Sequence, residues 1–262
     1  MNYNEIQPNR ELRAYARQQL NGVWGAMAFT YFVLFLIYLP YYFISSLSSI
    51  IDSIDKYEFL SLYYYSIIDS IDSYIPEIIV QIFPVINFIL SIAAAVVTGP
   101  FALGFAGYFL KRVRGQEIAT KNIFDGFYRF SGSFLVQLLT QLFTFLWCLL
   151  LVIPGIVKAL GYSMAFYIMY DNPDIRPLEA IKRSQIMMKG YKGKLFLLEL
   201  SFIGWTLLCI LSLGIGFLWL NPYMYLSIAN FYENLKRNQE NNQAANPVTN
   251  QAKPPIDLFQ ST

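Results

Sequence analysis

The 262-residue sequence contains no histidine and only two cysteines, Cys148 and Cys209. Without histidine, the chain cannot build an imidazole-activated serine or cysteine nucleophile, or a metal site based on histidine. The two cysteines lie in separate apolar runs and form neither a Cys-x-x-Cys pair nor a zinc-ligand spacing. We therefore expect a protein that is not an enzyme, with no catalytic residue, no metal site and no cofactor.

Charged residues are also scarce, at 14% of the chain, whereas an ordinary soluble domain has about 25%. The formal net charge is only +2, so we expect no nucleic-acid partner. Hydrophobic residues make up 56% and aromatic residues 18%, which is more apolar surface than one soluble domain of this length can bury. The composition therefore predicts an integral membrane protein.

The apolar residues fall into six runs, most of them close to the 20 or so residues that cross about 30 Å of hydrocarbon. Pro40 interrupts the first run, Gly99-Pro100 follows the second, and Pro154-Gly155 closes the third. We predict an all-α fold, a polytopic membrane helix bundle of about six transmembrane helices with amphipathic helices on the cytoplasmic side. The runs are 23–44, 78–98, 134–153, 156–170, 195–213 and 217–232.

Two segments flank this membrane domain, which spans residues 23–236. Residues 1–22 contain a predicted amphipathic helix that Asn9 can cap and Gly22 can end. Its arginines Arg10, Arg13 and Arg17 are spaced i, i+3 and i+7 and are predicted to share one face. Residues 237–262 are rich in Asn, Gln and Pro with few large apolar residues, so they are predicted to form a disordered cytoplasmic tail.

Basic residues indicate which ends of the spans face the cytoplasm. All of the 19 basic residues except Lys56 and Lys158 lie in the N-terminal segment, the loops 111–133 and 171–194, and the C-terminal tail. With six spans, these four segments share one side of the membrane. We therefore predict that both termini are cytoplasmic.

The long outer loop, 45–77, carries six acidic residues against one lysine and repeats the sequence Ser-Ile-Ile-Asp-Ser-Ile-Asp at 49–55 and 66–72. One interpretation is a site for a cation or a cationic peptide. The other is a duplicated amphipathic segment on the outer membrane surface, which we favour because no glycine-centred calcium loop is present. The candidate acidic residues are Asp52, Asp55, Asp69 and Asp72.

The basic cytoplasmic segments combine cationic and apolar side chains, a pattern typical of helices at an anionic membrane surface. From Pro177 to Lys189 the sequence predicts a helix with Leu178, Ile181 and Met188 on its apolar side. These segments bind lipid headgroups or the acidic face of a membrane protein partner, or they merely close the cytoplasmic side of the bundle. The basic candidates are Arg10, Arg13, Arg17, Lys121, Arg129, Lys182, Arg183 and Lys189.

Polar residues inside apolar runs are energetically costly and are therefore candidates for function. A transporter would use them to line a polar path. We favour a structural role instead, with hydrogen bonds between helices for the amides and snorkelling to the membrane surface for the charged residues. The six candidates are Asn87, Gln137, Gln141, Lys158, Glu199 and Asn221.

Several motifs follow one another in order along residues 9–236. They include Asn9-Arg-Glu-Leu-Arg-Ala-Tyr-Ala-Arg, Gly99-Pro-Phe-Ala-Leu-Gly, Phe124-Asp-Gly-Phe, Asp171-Asn-Pro and Asn230-Phe-Tyr-Glu-Asn-Leu. This set resembles the DUF975 family of uncharacterised bacterial membrane proteins. The resemblance implies a multi-pass protein of the bacterial plasma membrane, related to the membrane domain of some glycerophosphodiester phosphodiesterases. It supplies no catalytic residue.

These observations lead to one expected function and two alternatives. We expect a non-enzymatic accessory, lipid-interacting or membrane-protective factor whose partners are membrane lipids with anionic headgroups on the cytoplasmic side. The first alternative is a small transporter or exporter component. The second is an immunity protein against a membrane-active peptide, which the acidic outer loop would contact through its negative charge.

Overall fold

The computed structural model describes residues 7–56 and 77–245, and every regular element in these ranges is helical. This confirms the predicted all-α fold. In chain order the α-helices are α1 (Asn9–Leu20), α2 (Trp24–Lys56), α3 (Glu77–Val113), α4 (Phe130–Leu150), α5 (Val152–Tyr162), α6 (Ala165–Asp171), α7 (Pro177–Met187), α8 (Lys192–Leu200), α9 (Ile203–Leu211) and α10 (Phe217–Ala245), and a 3-10 helix spans Thr120–Arg129.

The chain divides into two structural units. The first combines Met1–Tyr31 with Thr98–Thr262, and the second is Phe32–Val97. In the second unit, large apolar side chains of α2 and α3 are widely exposed; Phe43 is 68% and Phe88 67% accessible. Such a surface suits contact with lipid hydrocarbon. The candidate site described below lies entirely in the first unit.

Five helical segments in the described ranges are long and apolar enough to cross a membrane. The predicted polytopic bundle is therefore confirmed. The sixth predicted run, 217–232, lies in α10, which is not one of these five segments because polar residues such as Asn221, Asn230 and Glu233 interrupt its apolar residues. This sixth span stays a prediction. The five segments are Trp24–Leu47, Pro84–Val113, Thr120–Leu150, Val152–Asp171 and Lys192–Leu211.

The prolines in the first two helices do not end them. α2 continues through Pro40, and α3 continues through Gly99-Pro100, since a proline inside a membrane helix removes one hydrogen bond without ending the helix. α2 extends to Lys56, so the first part of the predicted outer loop 45–77, with Asp52 and Asp55, is helical. Asp69 and Asp72 lie outside the described residues.

The N-terminal helix α1 packs against the C-terminal half of α10 through buried Leu12, Ala16 and Leu20. The Gln7 amide donates to Asn234 Oδ1 over 3.1 Å, and the Gln19 and Asn230 side chains exchange hydrogen bonds. The two ends of the described chain therefore lie side by side. α10 extends to Ala245, so the predicted disordered tail begins too early.

Asn9 does not cap α1, contrary to the sequence prediction. Its side-chain Nδ2 donates instead to the Lys194 carbonyl over 2.9 Å, which ties α1 to α8. Gly22 follows the helix with a positive φ of 80°, as its predicted position at the helix end requires.

Two glycines allow close contact between α3 and the 3-10 helix. A Cβ atom on Gly126 would overlap the backbone of Pro100 and Gly104, and a Cβ on Gly104 would overlap the Ile123 carbonyl. Only hydrogen fits at these positions, so the 3-10 helix lies directly on the α3 backbone.

We predict that Gly126→Ala lowers the free energy of unfolding by about 1–3 kcal/mol, the usual cost of forcing extra volume into a packed site. Thermal unfolding of the purified protein in mild detergent measures this as a lower Tm. Gly193→Ala is the matched control, because a Cβ there meets nothing within 4 Å. Equal Tm values for the two variants would contradict the close contact.

Candidate functional site

The arginine face of α1 forms one edge of the candidate site. Arg10, Arg13 and Arg17 are spaced i, i+3 and i+7, so they share one side of the helix. The buried apolar side of α1 is held against α10, which fixes the direction in which the arginines extend. None of the three arginines forms an ion pair with any residue that the structure describes.

A cavity of about 690 Å³ lies beside this arginine face. Its volume falls within the range of about 300–1,000 Å³ that is typical of small-molecule sites. We call it the arginine-tryptophan cavity. It is lined by Arg10, Arg13, Arg17, Trp24, Trp205, Leu208, Cys209, Ser212, Gly216, Trp219, Leu220 and Tyr223.

Charged and apolar side chains are separated within this cavity. Every charged residue comes from α1, whereas α9 supplies Trp205 and Leu208 and α10 supplies Trp219 and Leu220. Tyr223 is oriented by edge-on packing against Phe202, with ring centroids 5.1 Å apart. A cavity with one cationic edge and an apolar wall is complementary to an amphiphile that carries negative charge.

Arg13 has an unsatisfied donor at this edge. Its Nε atom is buried, although the residue as a whole is only half-buried, and it has no hydrogen-bond partner among the described residues. A buried N–H without an acceptor costs free energy comparable to a lost hydrogen bond. The described residues therefore supply no acceptor for this Arg13 group.

A second polar centre, the Asp171 junction, joins three segments of the first unit. Both Asp171 carboxylate oxygens accept from Arg114 over 2.9 Å, and Lys236 and the Tyr232 hydroxyl contact Oδ2 at 2.7 and 3.0 Å. Arg114 also reaches Glu233 at 3.0 Å. Because the Asp171 side chain is only 4% exposed, these contacts are largely shielded from water.

The Asp171 junction places the ends of α3 and α6 next to the C-terminal half of α10. Burial alone would lower the pKa of Arg114, but hydrogen bonding to Asp171 and the charges of Asp171 and Glu233 raise it above its usual value. The guanidinium therefore stays charged and continues to bind both carboxylates. This is a structural role that sequence patterns did not reveal, although Arg114, Asp171 and Glu233 all lie in or beside the family motifs.

Two of the basic candidates have structural partners. Arg129 donates to the Met169, Asn172 and Ile175 carbonyls over 3.2 Å, and Arg183 pairs with Glu179 at 2.6 Å. Their assignment as lipid- or partner-facing residues stays a prediction. Lys121, Lys182 and Lys189 are exposed.

Helix α7 is more deeply packed than the sequence predicts. Ser184 Oγ donates to the Gly161 carbonyl over 2.7 Å and accepts from the Met164 amide over 3.1 Å, which fixes α7 against α5 and α6. Of the predicted apolar side, Ile181 and Met188 are buried, whereas Leu178 is 49% exposed. The placement of α7 at a membrane surface stays a prediction.

The intramembrane polar candidates do not come together at one site. The side-chain amides of Gln137 and Gln141 form no hydrogen bond with any described residue; Gln141 is exposed in a groove with Thr140 and Thr144. The expected helix-to-helix hydrogen bonds of these amides are thus not formed, and the transporter alternative stays a prediction. Lys158 lies 4.6 Å over the Trp147 ring, whereas Asn87, Glu199 and Asn221 are half-buried.

The apolar half of the arginine-tryptophan cavity is absent from the sequence prediction. Trp205, Trp219 and Tyr223 lie in different helices, and aromatic residues near span ends indicate only membrane anchoring. The arginine spacing in α1 was the one available signal, because it places the three arginines on one face of a helix.

Comparison with known proteins identifies one family. The family model described as protein of unknown function (DUF975) matches residues 1–160 and 148–239. No curated protein matches the chain, and no solved structure does. The expected relation to the membrane domain of glycerophosphodiester phosphodiesterases stays a prediction.

We predict that Asp171→Asn lowers the free energy of unfolding by about 3–5 kcal/mol, because it leaves Arg114 and Lys236 without their shared carboxylate. Thermal unfolding in detergent checks this. Glu179→Gln removes a carboxylate from a more exposed pair on α7, where an i,i+4 contact contributes only about 0.5 kcal/mol. A Tm loss no larger for Asp171→Asn than for Glu179→Gln would contradict a stabilising junction.

Proposed function

For this chain, which belongs to the DUF975 family, we propose that it is a non-enzymatic membrane protein that binds lipid as an accessory or protective factor. The family description states no activity, so the proposal depends on the site itself. The observation that carries it is the arginine-tryptophan cavity. That cavity combines three arginines without ion-pair partners in the described chain with an apolar wall of tryptophan and leucine.

The position of the cavity supports lipid over a water-soluble ligand. α9 belongs to the candidate membrane span Lys192–Leu211 and supplies part of the wall. Leu207, Ile210 and Leu211 of the same helix are 58%, 59% and 79% exposed. Apolar side chains thus continue from the cavity onto the outer surface of α9, where bilayer lipid would contact them.

Three tryptophans line the cavity, and this residue type is enriched where a membrane meets water. The indole ring is apolar but carries one N–H donor, so it can contact both hydrocarbon and the polar ester region of a lipid. Trp205 and Trp219 are 57% and 48% exposed and are therefore accessible to such a molecule.

The proposed orientation places both termini on the cytoplasmic side of the bacterial plasma membrane. Two sets of contacts support this orientation. α1 contacts α10, and the Asp171 junction joins Arg114, Asp171 and Lys236. Both favour one membrane side for the four basic segments, and neither depends on the number of apolar spans. α10 covers about 25 Å between Phe217 and Glu233 at 1.5 Å per residue, enough to return through the bundle.

Cysteine labelling tests this orientation. In a background with Cys148 and Cys209 changed to serine, we expect Glu117→Cys to react with an impermeant maleimide only after the cells are opened. Ile215→Cys, in the connection between α9 and α10, should react in intact spheroplasts. The reverse pattern would overturn the proposed orientation.

A pair of neighbouring leucines tests lipid binding in the cavity. Leu208 lines it and is 56% exposed, whereas Leu207 is 58% exposed and is not part of its lining. We expect Leu208→Trp to fill the cavity and reduce the lipid that stays bound in mild detergent, measured by native mass spectrometry. Leu207→Trp should retain the wild-type amount, and equal retention by both variants would contradict the proposal.

A further inference from the structure

We propose that the arginine-tryptophan cavity binds an anionic glycerophospholipid, with its phosphate held by Arg10, Arg13 and Arg17. This inference rests on the proposed lipid binding and names the class of lipid. The two parts of the lipid contact different parts of the cavity. The headgroup lies at the α1 edge, and the hydrocarbon lies along α9 and α10.

Charge at the α1 edge favours an anion. Three guanidinium groups within two helical turns repel one another, and no described carboxylate neutralises them. Three other arginines of the first unit provide a contrast, because Arg114 and Arg183 bind carboxylates and Arg129 binds three backbone carbonyls. Arg176 also has no ion pair with a described residue, but it is exposed and does not line the cavity. The α1 arginines therefore combine missing counter-charges with a position at the edge of a cavity.

Arg13 lines the cavity and has no ion-pair partner among the described residues. A guanidinium offers parallel N–H groups that match two oxygens of one phosphate or carboxylate group. A phosphate at the α1 edge would therefore supply the acceptor that the described residues do not give Arg13.

The width of the arginine face favours a phospholipid over a fatty acid. A single carboxylate has two oxygens, which one arginine fork already occupies. Arg10 and Arg17 are seven residues apart, about 10 Å along the α1 axis, so the arginine face is wider than one carboxylate. A glycerophospholipid adds ester carbonyl and headgroup oxygens to its two free phosphate oxygens, so its acceptors extend across that width.

The hydrocarbon part follows from the same geometry. The cavity wall carries Trp205, Leu208, Trp219 and Leu220, and it meets the exposed apolar surface of α9. A lipid held by its phosphate at α1 can place one acyl chain in the cavity while its remaining chain contacts the bilayer side of α9. A soluble phosphate ester would leave this apolar wall unused.

The test compares two triple variants with the same loss of charge. One is Arg10→Gln, Arg13→Gln and Arg17→Gln. The control is Lys121→Gln, Lys182→Gln and Lys189→Gln, which removes three exposed cations that do not line the cavity. Each protein, and the wild type, is equilibrated with equal phosphatidylglycerol and phosphatidylcholine in mild detergent, and the retained lipid is measured by native mass spectrometry.

We expect the wild type and the lysine control to retain phosphatidylglycerol preferentially. The arginine variant should lose roughly tenfold or more of that preference, because several charge-assisted hydrogen bonds disappear. Arg13→Lys keeps the charge but removes Nε, so it should lose part of the preference while its Tm stays near that of the wild type. Tm values for all variants separate lost binding from lost folding.

Three outcomes would overturn the inference. In the first outcome, Leu208→Trp reduces the retained lipid but the protein retains both headgroups equally. This would support lipid binding in the cavity and contradict its preference for an anionic phospholipid. Equal loss in the lysine control would show only a general charge effect. Full displacement of the lipid by glycerol phosphate would assign the site to a soluble phosphate ester. Absence of any retained lipid would instead contradict the proposed function itself.

Discussion

The shared carboxylate of Asp171 is the interaction on which the first unit depends most. It accepts from Arg114, Lys236 and Tyr232 while only 4% of its side chain is exposed. These partners come from the end of α3 and from α10, so one buried anion joins three distant segments. Because a buried charge is stable only when paired, the pairing fixes the relative positions of these helices. α10, held in this way, is the surface against which α1 packs.

The position of α1 then determines the candidate site. Leu12, Ala16 and Leu20 are buried against α10, which leaves the arginine face beside the tryptophans of α9 and α10. The same helix thus uses one side for stability and an adjacent side for binding. A substitution at the Asp171 junction is therefore expected to alter the arginine-tryptophan cavity, although Asp171 does not line it. The arginines themselves can be replaced without removing the packed side of α1.

Sequence patterns located helices better than they located helix ends or roles. The apolar runs correctly predicted a multi-pass helical bundle, but α2 and α10 extend well past the ends of their apolar runs. Arg10, Arg13 and Arg17 were correctly placed on one face. Arg129 and Arg183 look equally basic in the sequence, yet they satisfy backbone carbonyls and a neighbouring glutamate. Local sequence does not show whether a cation has a partner, because that partner can come from any part of the chain.

The sequence by itself determined the class of protein, its apolar helices and the arginine spacing of α1, because hydrophobicity and helical period act over neighbouring residues. Only the tertiary structure decided which charges are neutralised and which face a cavity. Arg114 and Glu233 are 119 positions apart, and Gln19 and Asn230 are 211 apart. Contacts over such separations leave no periodic signal in the chain. The arginine-tryptophan cavity likewise exists only because α1, α9 and α10 are packed together.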